Sequence, residues 1–105
     1  MSFNKSSLAF DDIQGAFDRA LAAPKGVRIK CSSRGEAIVL RTRFNYFRKL
    51  NRKENKEVYT SDQPMWGKSA YDKLVLRVPP KGAEEDNTLF IEPRSVEDLD
   101  IEDIK

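Results

Sequence analysis

The segment from Ser33 to about Asn55 is the feature that most constrains how this chain can fold. Its first four residues, Ser-Arg-Gly-Glu, match a capping box, in which the serine hydroxyl and the glutamate carboxylate each satisfy a free backbone N–H at a helix start. No proline follows until Pro64. The pattern therefore predicts a helix of about 20 residues, which spans roughly 30 Å and needs another element against which to bury one side.

This predicted helix has two different faces. Its apolar positions, which we expect to be core, are Ala37, Leu40, Phe44 and Phe47. Its basic face carries Arg41, Asn45, Arg48 and Arg52, widened on one side by Lys49, Lys53 and Lys56. Like charges four residues apart destabilise an isolated helix by a few tenths of a kcal/mol per pair. A helix selected for stability alone would intersperse glutamates here, so the pattern favours a polyanion as partner.

Hydrophobic patterns on either side of this helix predict the other elements. An earlier helix begins at Phe10 and stops near Ala23, because Pro24 cannot continue it. Alternating apolar residues predict three strands, at residues 27–31, 69–78 and 88–92. The order helix, strand, helix, strand, strand predicts an α+β fold, a single layer of three mainly antiparallel strands covered on one face by two helices.

The same alternation predicts what lies on the uncovered face of the sheet. Phe90 falls on that face together with Arg28, Lys30 and Arg77. Three aromatic side chains could stack on the bases of a single strand: Tyr46, Trp66 and Phe90. For Trp66 the alternative is that it closes an edge of the core.

With 105 residues the chain has room for one domain. We expect residues 1–94 to form it, with residues 1–6 frayed. The last ten residues carry five acids against one lysine and alternate them with branched apolar residues. Such a composition opposes independent folding, so residues 95–105 are predicted to be a flexible acidic tail.

The net charge of +2 hides an uneven distribution. Residues 25–81 contain fifteen Lys or Arg and five acids, whereas residues 82–105 contain two basic residues and nine acids. A strongly basic middle indicates a polyanionic partner for that part of the chain. The simpler alternative is a solvated surface whose two ends neutralise each other.

Several functional classes are disfavoured by composition. There is no histidine, and the single cysteine, Cys31, falls on the apolar side of a predicted strand. No Gly-rich phosphate loop, metal-ligand spacing or nucleophile elbow occurs. We therefore expect no enzymatic activity, no metal and no cofactor. No apolar run is long enough to cross a membrane and no signal peptide is recognisable, which favours a cytoplasmic protein, with phage or viral accessory proteins among the candidates.

The interpretation that best fits these observations is a non-enzymatic nucleic-acid-binding protein that uses the basic helix face, with DNA favoured over RNA. Its acidic tail would compete for that face or recruit a protein partner through residues 96–104. The alternative is an interaction module, or a small regulator or inhibitor, that binds an acidic protein surface. Self-association as a homodimer through an edge of the sheet is a third interpretation.

The general layout, a basic body followed by an acidic C-terminal tail, is similar to that of replication-type single-stranded-DNA-binding proteins. The similarity is limited to layout, since no sequence motif of that family is present and three strands are fewer than its five-stranded barrel needs.

Overall fold

A computed structural model describes residues 9–94 of the chain. Its elements are helix α1 (Phe10–Ala22), strand β1 (Val27–Lys30), helix α2 (Arg34–Val58), a 3₁₀ helix (Ala70–Lys73), strand β2 (Leu74–Arg77) and strand β3 (Thr88–Pro93). The α+β class and the element order are confirmed. The expectations of a frayed segment 1–6 and a flexible tail 95–105 concern stretches that lie outside the described residues. Within residues 9–94, no helix is long and apolar enough to cross a membrane.

The three strands form one antiparallel sheet in the order β1-β3-β2. The last strand in the chain is therefore the central one, and β1 and β2 flank it. Residues Val27 and Leu76 lie opposite Ile91, while Arg28 and Arg77 lie opposite Phe90. This register places the apolar row on the face that meets the helices and the basic row on the other face, as the alternation predicts.

The core lies between the helices and one face of the sheet. Phe17 of α1 is fully buried, with its ring 4.9 Å from that of Phe44 and stacked 4.7 Å from that of Tyr71. The Tyr71 hydroxyl donates a 2.8 Å hydrogen bond to Asp18. Burial, together with this bond, raises the pKa of the tyrosine. Cys31 is buried as well, as expected for a small core residue.

Helix α2 begins where the sequence predicts. The Ser33 hydroxyl accepts a hydrogen bond from the Glu36 N–H at 3.1 Å, which is the first half of the predicted capping box. The Glu36 carboxylate accepts from the Ser32 hydroxyl. The helix continues to Val58, three residues beyond the predicted end at Asn55.

The stretch predicted as one long strand from Ser69 to Val78 is divided. Its first part is the 3₁₀ helix, and β2 starts only at Leu74. The cause is a capping box: Ser69 Oγ accepts from the Tyr71 N–H at 3.1 Å, and Asp72 Oδ2 accepts from the Ser69 N–H at 2.9 Å. The Ser-x-x-Asp spacing of this capping box is present in the sequence. The apolar alternation in the same stretch favoured a strand, so the prediction did not include the cap.

Candidate nucleic-acid interface

Arg48, in the middle of the predicted basic face, points towards the protein rather than the solvent. Its Nη1 donates to the carbonyl oxygens of Tyr71 at 3.1 Å and Leu74 at 2.8 Å, and its Nη2 donates to Asn45 Oδ1 at 2.8 Å. Burial lowers the pKa of Arg48, and the like charge of Arg52 adds to this effect. Arg48 therefore joins α2 to the start of β2. Asn45 could contact adenine through both amide atoms only after releasing this arginine.

Arg52 is held in a similar way by an acid. Its Nε donates to Asp72 Oδ1 at 2.8 Å, and its Nη2 donates to the same oxygen. Burial raises the pKa of Asp72, but the bonds from Arg52 and from the Ser69 N–H outweigh it and leave that pKa below its usual value. The Arg52 side chain as a whole is still 43% exposed, so it remains accessible to solvent or a ligand.

The predicted lysines line a concavity on the exposed side of α2, which we call the lysine groove. It has a volume of about 320 Å³ and is lined by Lys49, Arg52, Lys53, Lys56 and Gly67. All three lysines are exposed, and within residues 9–94 none of them lies within 4.0 Å of a carboxylate. Gly67 has φ +68°, and a Cβ there would lie 3.1 Å from Lys56 Cε. The positive φ favours glycine at this position, and the loop here lies against the flexible Lys56 side chain.

An aromatic side chain lies beside Lys56, one of the lysines that line the groove. Trp66 is 39% exposed, and Lys56 Nζ lies 5.2 Å from the centre of its ring. A ring in this position can stack on a base while the neighbouring ammonium groups meet phosphates. Trp66 precedes Gly67, so the loop that contributes to the lining of the groove also carries this ring.

The other predicted residues on the helices lie apart from this groove. Arg41 is two turns before Lys49, about 12 Å along the helix, and does not line the groove. Tyr46 is 52% exposed and packs against Phe10, with the ring centres 6.2 Å apart.

The uncovered face of the sheet carries the second predicted set, and its charges are largely offset. Arg77 lies over the Phe90 ring at 4.3 Å and donates to Glu92 at 2.9 Å, which raises the pKa of Arg77. Arg28 donates to Glu85 at 3.1 Å. Lys30, also exposed, lies opposite Thr88 at the end of β1. Because Arg77 covers one side of the ring and glutamates meet both arginines, this face is a weaker anion site than the lysine groove.

Two features of the site are absent from the sequence predictions. The first is Asp72, which orients Arg52; the Ser-x-x-Asp spacing could have identified its capping role but not its ion pair. The second is Gly67, which brings the loop against the helix. Asn55 Nδ2 fastens the same loop by donating to the Lys68 carbonyl oxygen.

Within residues 9–94 no group of three or more His, Cys, Asp or Glu residues is arranged to hold a metal ion. The chain matches no protein-family model, no curated protein and no solved structure. Its function is accordingly inferred from the geometry of its own residues.

Proposed function

We propose that this chain binds nucleic acid without catalysing a reaction and that the lysine groove contacts the sugar-phosphate backbone. The observation that carries the proposal is the convergence of four cationic side chains on one concavity of about 320 Å³. Three of them have no carboxylate within 4.0 Å among residues 9–94. Lysines that displace the cations condensed on a polyanion gain affinity from counterion release, with no need for a shaped pocket.

The composition of the lysine groove favours single-stranded nucleic acid that is bound with little sequence preference. Lysine ammonium groups act as point charges and lack the forked geometry with which arginine recognises a base edge. The two arginines that could supply such a fork, Arg48 and Arg52, are bonded to the protein. Trp66 offers a stacking surface that every base can use. Single-stranded DNA is the partner we expect, and the acidic segment 95–105 competes with it for the same lysines.

The sole tryptophan of the chain provides the test. Oligo(dT) added to the full chain at low salt should quench Trp66 fluorescence with micromolar affinity. If three phosphates are contacted, the logarithm of the affinity should fall with the logarithm of salt concentration with a slope of about −2. Oligo(U) in a parallel titration distinguishes DNA from RNA.

A matched pair of charge reversals locates the site. Lys53→Glu should weaken binding by about tenfold, roughly 1.4 kcal/mol. The control is Lys81→Glu, which makes the same charge change in the loop after β2. Lys81 does not line the lysine groove, and its loop is held at the start of α2 by a hydrogen bond from Arg34 to the Pro79 carbonyl oxygen. Equal effects of the two variants would mean that binding is a general charge effect. Absence of quenching at low salt with either oligonucleotide would exclude nucleic acid and leave an acidic protein surface as the partner.

A further inference from the structure

A second and larger concavity lies beside the lysine groove, and we call it the Met65 groove. Its volume is about 650 Å³. Apolar side chains from three parts of the chain contribute to its lining: Met65, Ala70 and Pro93. Three exposed cations line it as well: Lys68, Lys73 and Arg94. Asp72 is the single acid in the lining, and Arg52 already offsets its charge. This combination suits an occupant with both apolar side chains and carboxylates.

The described chain ends at the wall of this groove. The Arg94 N–H donates a 2.8 Å hydrogen bond to the Lys73 carbonyl oxygen, so the last described residue is tied to the residue that precedes β2. The eleven residues that follow contain Val96, Leu99, Ile101 and Ile104 together with five acids. An extended chain of this length reaches at most about 40 Å, several times what is needed to enter a groove at its own starting point.

We propose that residues 96–104 of the same chain occupy the Met65 groove. The branched apolar side chains pack against Met65, Ala70 and Pro93, and the carboxylates face Lys68, Lys73 and Arg94. Covalent attachment at Arg94 makes this an intramolecular association, and short linkers of this kind produce effective concentrations in the millimolar range. Weak individual contacts are therefore sufficient.

Residues 96–104 in the Met65 groove would also weaken phosphate binding in the lysine groove, a consequence that rests on the proposed function. The two concavities share one wall: Met65 and Lys68 line the first, and Gly67, between them in sequence, lines the second. The Arg52–Asp72 ion pair has one member in each lining. A segment in the Met65 groove thus brings carboxylates to the edge of the lysine groove, where they compete with phosphates.

Paramagnetic relaxation in the full chain tests the docking without nucleic acid. The nitroxide is attached to the cysteine of a Lys105→Cys variant. The native Cys31 is only 5% exposed, so the label reacts at position 105. Amide signals of residues 65–73 should lose most of their intensity, whereas those of residues 81–86 should keep theirs. Loss spread evenly over the surface would overturn the proposal. Equal loss in ¹⁵N chain that carries no nitroxide, mixed with spin-labelled chain that is not ¹⁵N-enriched, would assign the groove to a second copy and overturn it too.

A double substitution in the tail separates docking from charge. Leu99→Asp with Ile101→Asp should restore the signals of residues 65–73 and tighten oligo(dT) binding severalfold, although two acids have been added. The matched control, Ser2→Asp with Asn4→Asp, adds the same charge near the N-terminus. It should neither restore the signals of residues 65–73 nor tighten oligo(dT) binding. Restored signals with no oligonucleotide binding in any variant would reject the nucleic-acid function while keeping the docking. Oligonucleotide binding without localised signal loss would reject the docking alone.

Discussion

The arginines and lysines of α2 have different uses. Arg48 donates to two backbone carbonyl groups and Arg52 to a carboxylate, whereas Lys49, Lys53 and Lys56 are exposed and none forms an ion pair with a carboxylate among residues 9–94. A guanidinium has five donors in a fixed fork and can satisfy several acceptors from one position, which an ammonium group on a flexible stem does less well. One stripe of positive charge therefore contains both structural and exposed residues.

This division leads to a prediction for neighbouring residues. Arg48→Met should lower the free energy of unfolding by about 2 kcal/mol, because it removes the side-chain donor to two carbonyl oxygens, of which Tyr71 O keeps the Leu74 N–H and Leu74 O loses the guanidinium. Lys49→Met should change it by less than about 0.5 kcal/mol, as expected for an exposed side chain. Urea unfolding followed by circular dichroism measures both. Similar losses for the two variants would contradict the structural role of Arg48.

Asp72 should make stability depend on pH in the acid range. Its pKa is lowered in the folded protein, so its contribution is complete above the unfolded pKa, about 4, and is lost as the pH falls through the lower folded value. Asp72→Asn should therefore differ most from the native chain near neutral pH, and the difference should shrink below about pH 4. Urea unfolding at a series of pH values tests this. A difference that stays constant down to pH 2 would show that Asp72 is not titrating in this way.

At the scale of elements, α2 changes character along its length. Its fully buried residues, Ala37, Leu40 and Phe44, all lie in its first half. The second half packs on the core through Phe47 and is fastened further by polar side chains, with Arg48 and Arg52 bonded to residues 71–74 and Asn55 to the Lys68 carbonyl oxygen. The lysines of this half are exposed.

The bond from Asn55 should control the lysine groove from outside its charged lining. Asn55→Ala removes the donor to the Lys68 carbonyl oxygen, so the loop that contains Gly67 should separate more easily from the helix. We expect faster amide exchange at residues 65–68 and weaker oligo(dT) binding. Asn51→Ala, on the same helix, is the matched control and should leave both unchanged. Unaltered exchange in the first variant would mean that other contacts hold the loop.

At the scale of the whole molecule, a basic middle and an acidic end share one short chain. Residues 25–81 contain fifteen basic residues and five acids, and the last ten residues contain five acids and one lysine. In the function that we propose, five carboxylates attached to the protein would compete with phosphates at a concentration that dilution does not lower. That proposal predicts a stronger response to salt than the near-neutral total charge suggests.

Amide substitution of all five acids in residues 96–104 should tighten oligo(dT) binding severalfold at low salt. Near 1 M salt, where the screening length falls to about 3 Å, the difference should disappear. Asp98→Asn and Glu84→Gln each remove one acid, and only the first should increase affinity. Equal gains would indicate that net charge alone, and not the position of the acids, sets the affinity.

The sequence by itself determined the element order, the start of α2 at Ser33, the apolar stripe of that helix and the face on which Phe90 lies. Each of these depends on neighbours within about four residues, where helix and strand periodicity and capping act. The same local rules misplaced the start of β2, because a Ser-x-x-Asp cap and an apolar alternation overlap between Ser69 and Val78.

Only the tertiary structure decided the strand order β1-β3-β2 and the distinction between bonded arginines and exposed lysines. Arg52 meets Asp72 across 20 positions of sequence, and Arg48 meets Leu74 across 26. Periodicity describes one element at a time and says nothing about which distant carbonyl or carboxylate will face a given side chain. The basic face was visible in the sequence, but the groove within it is completed by Gly67 of a loop that lies against the Lys56 side chain.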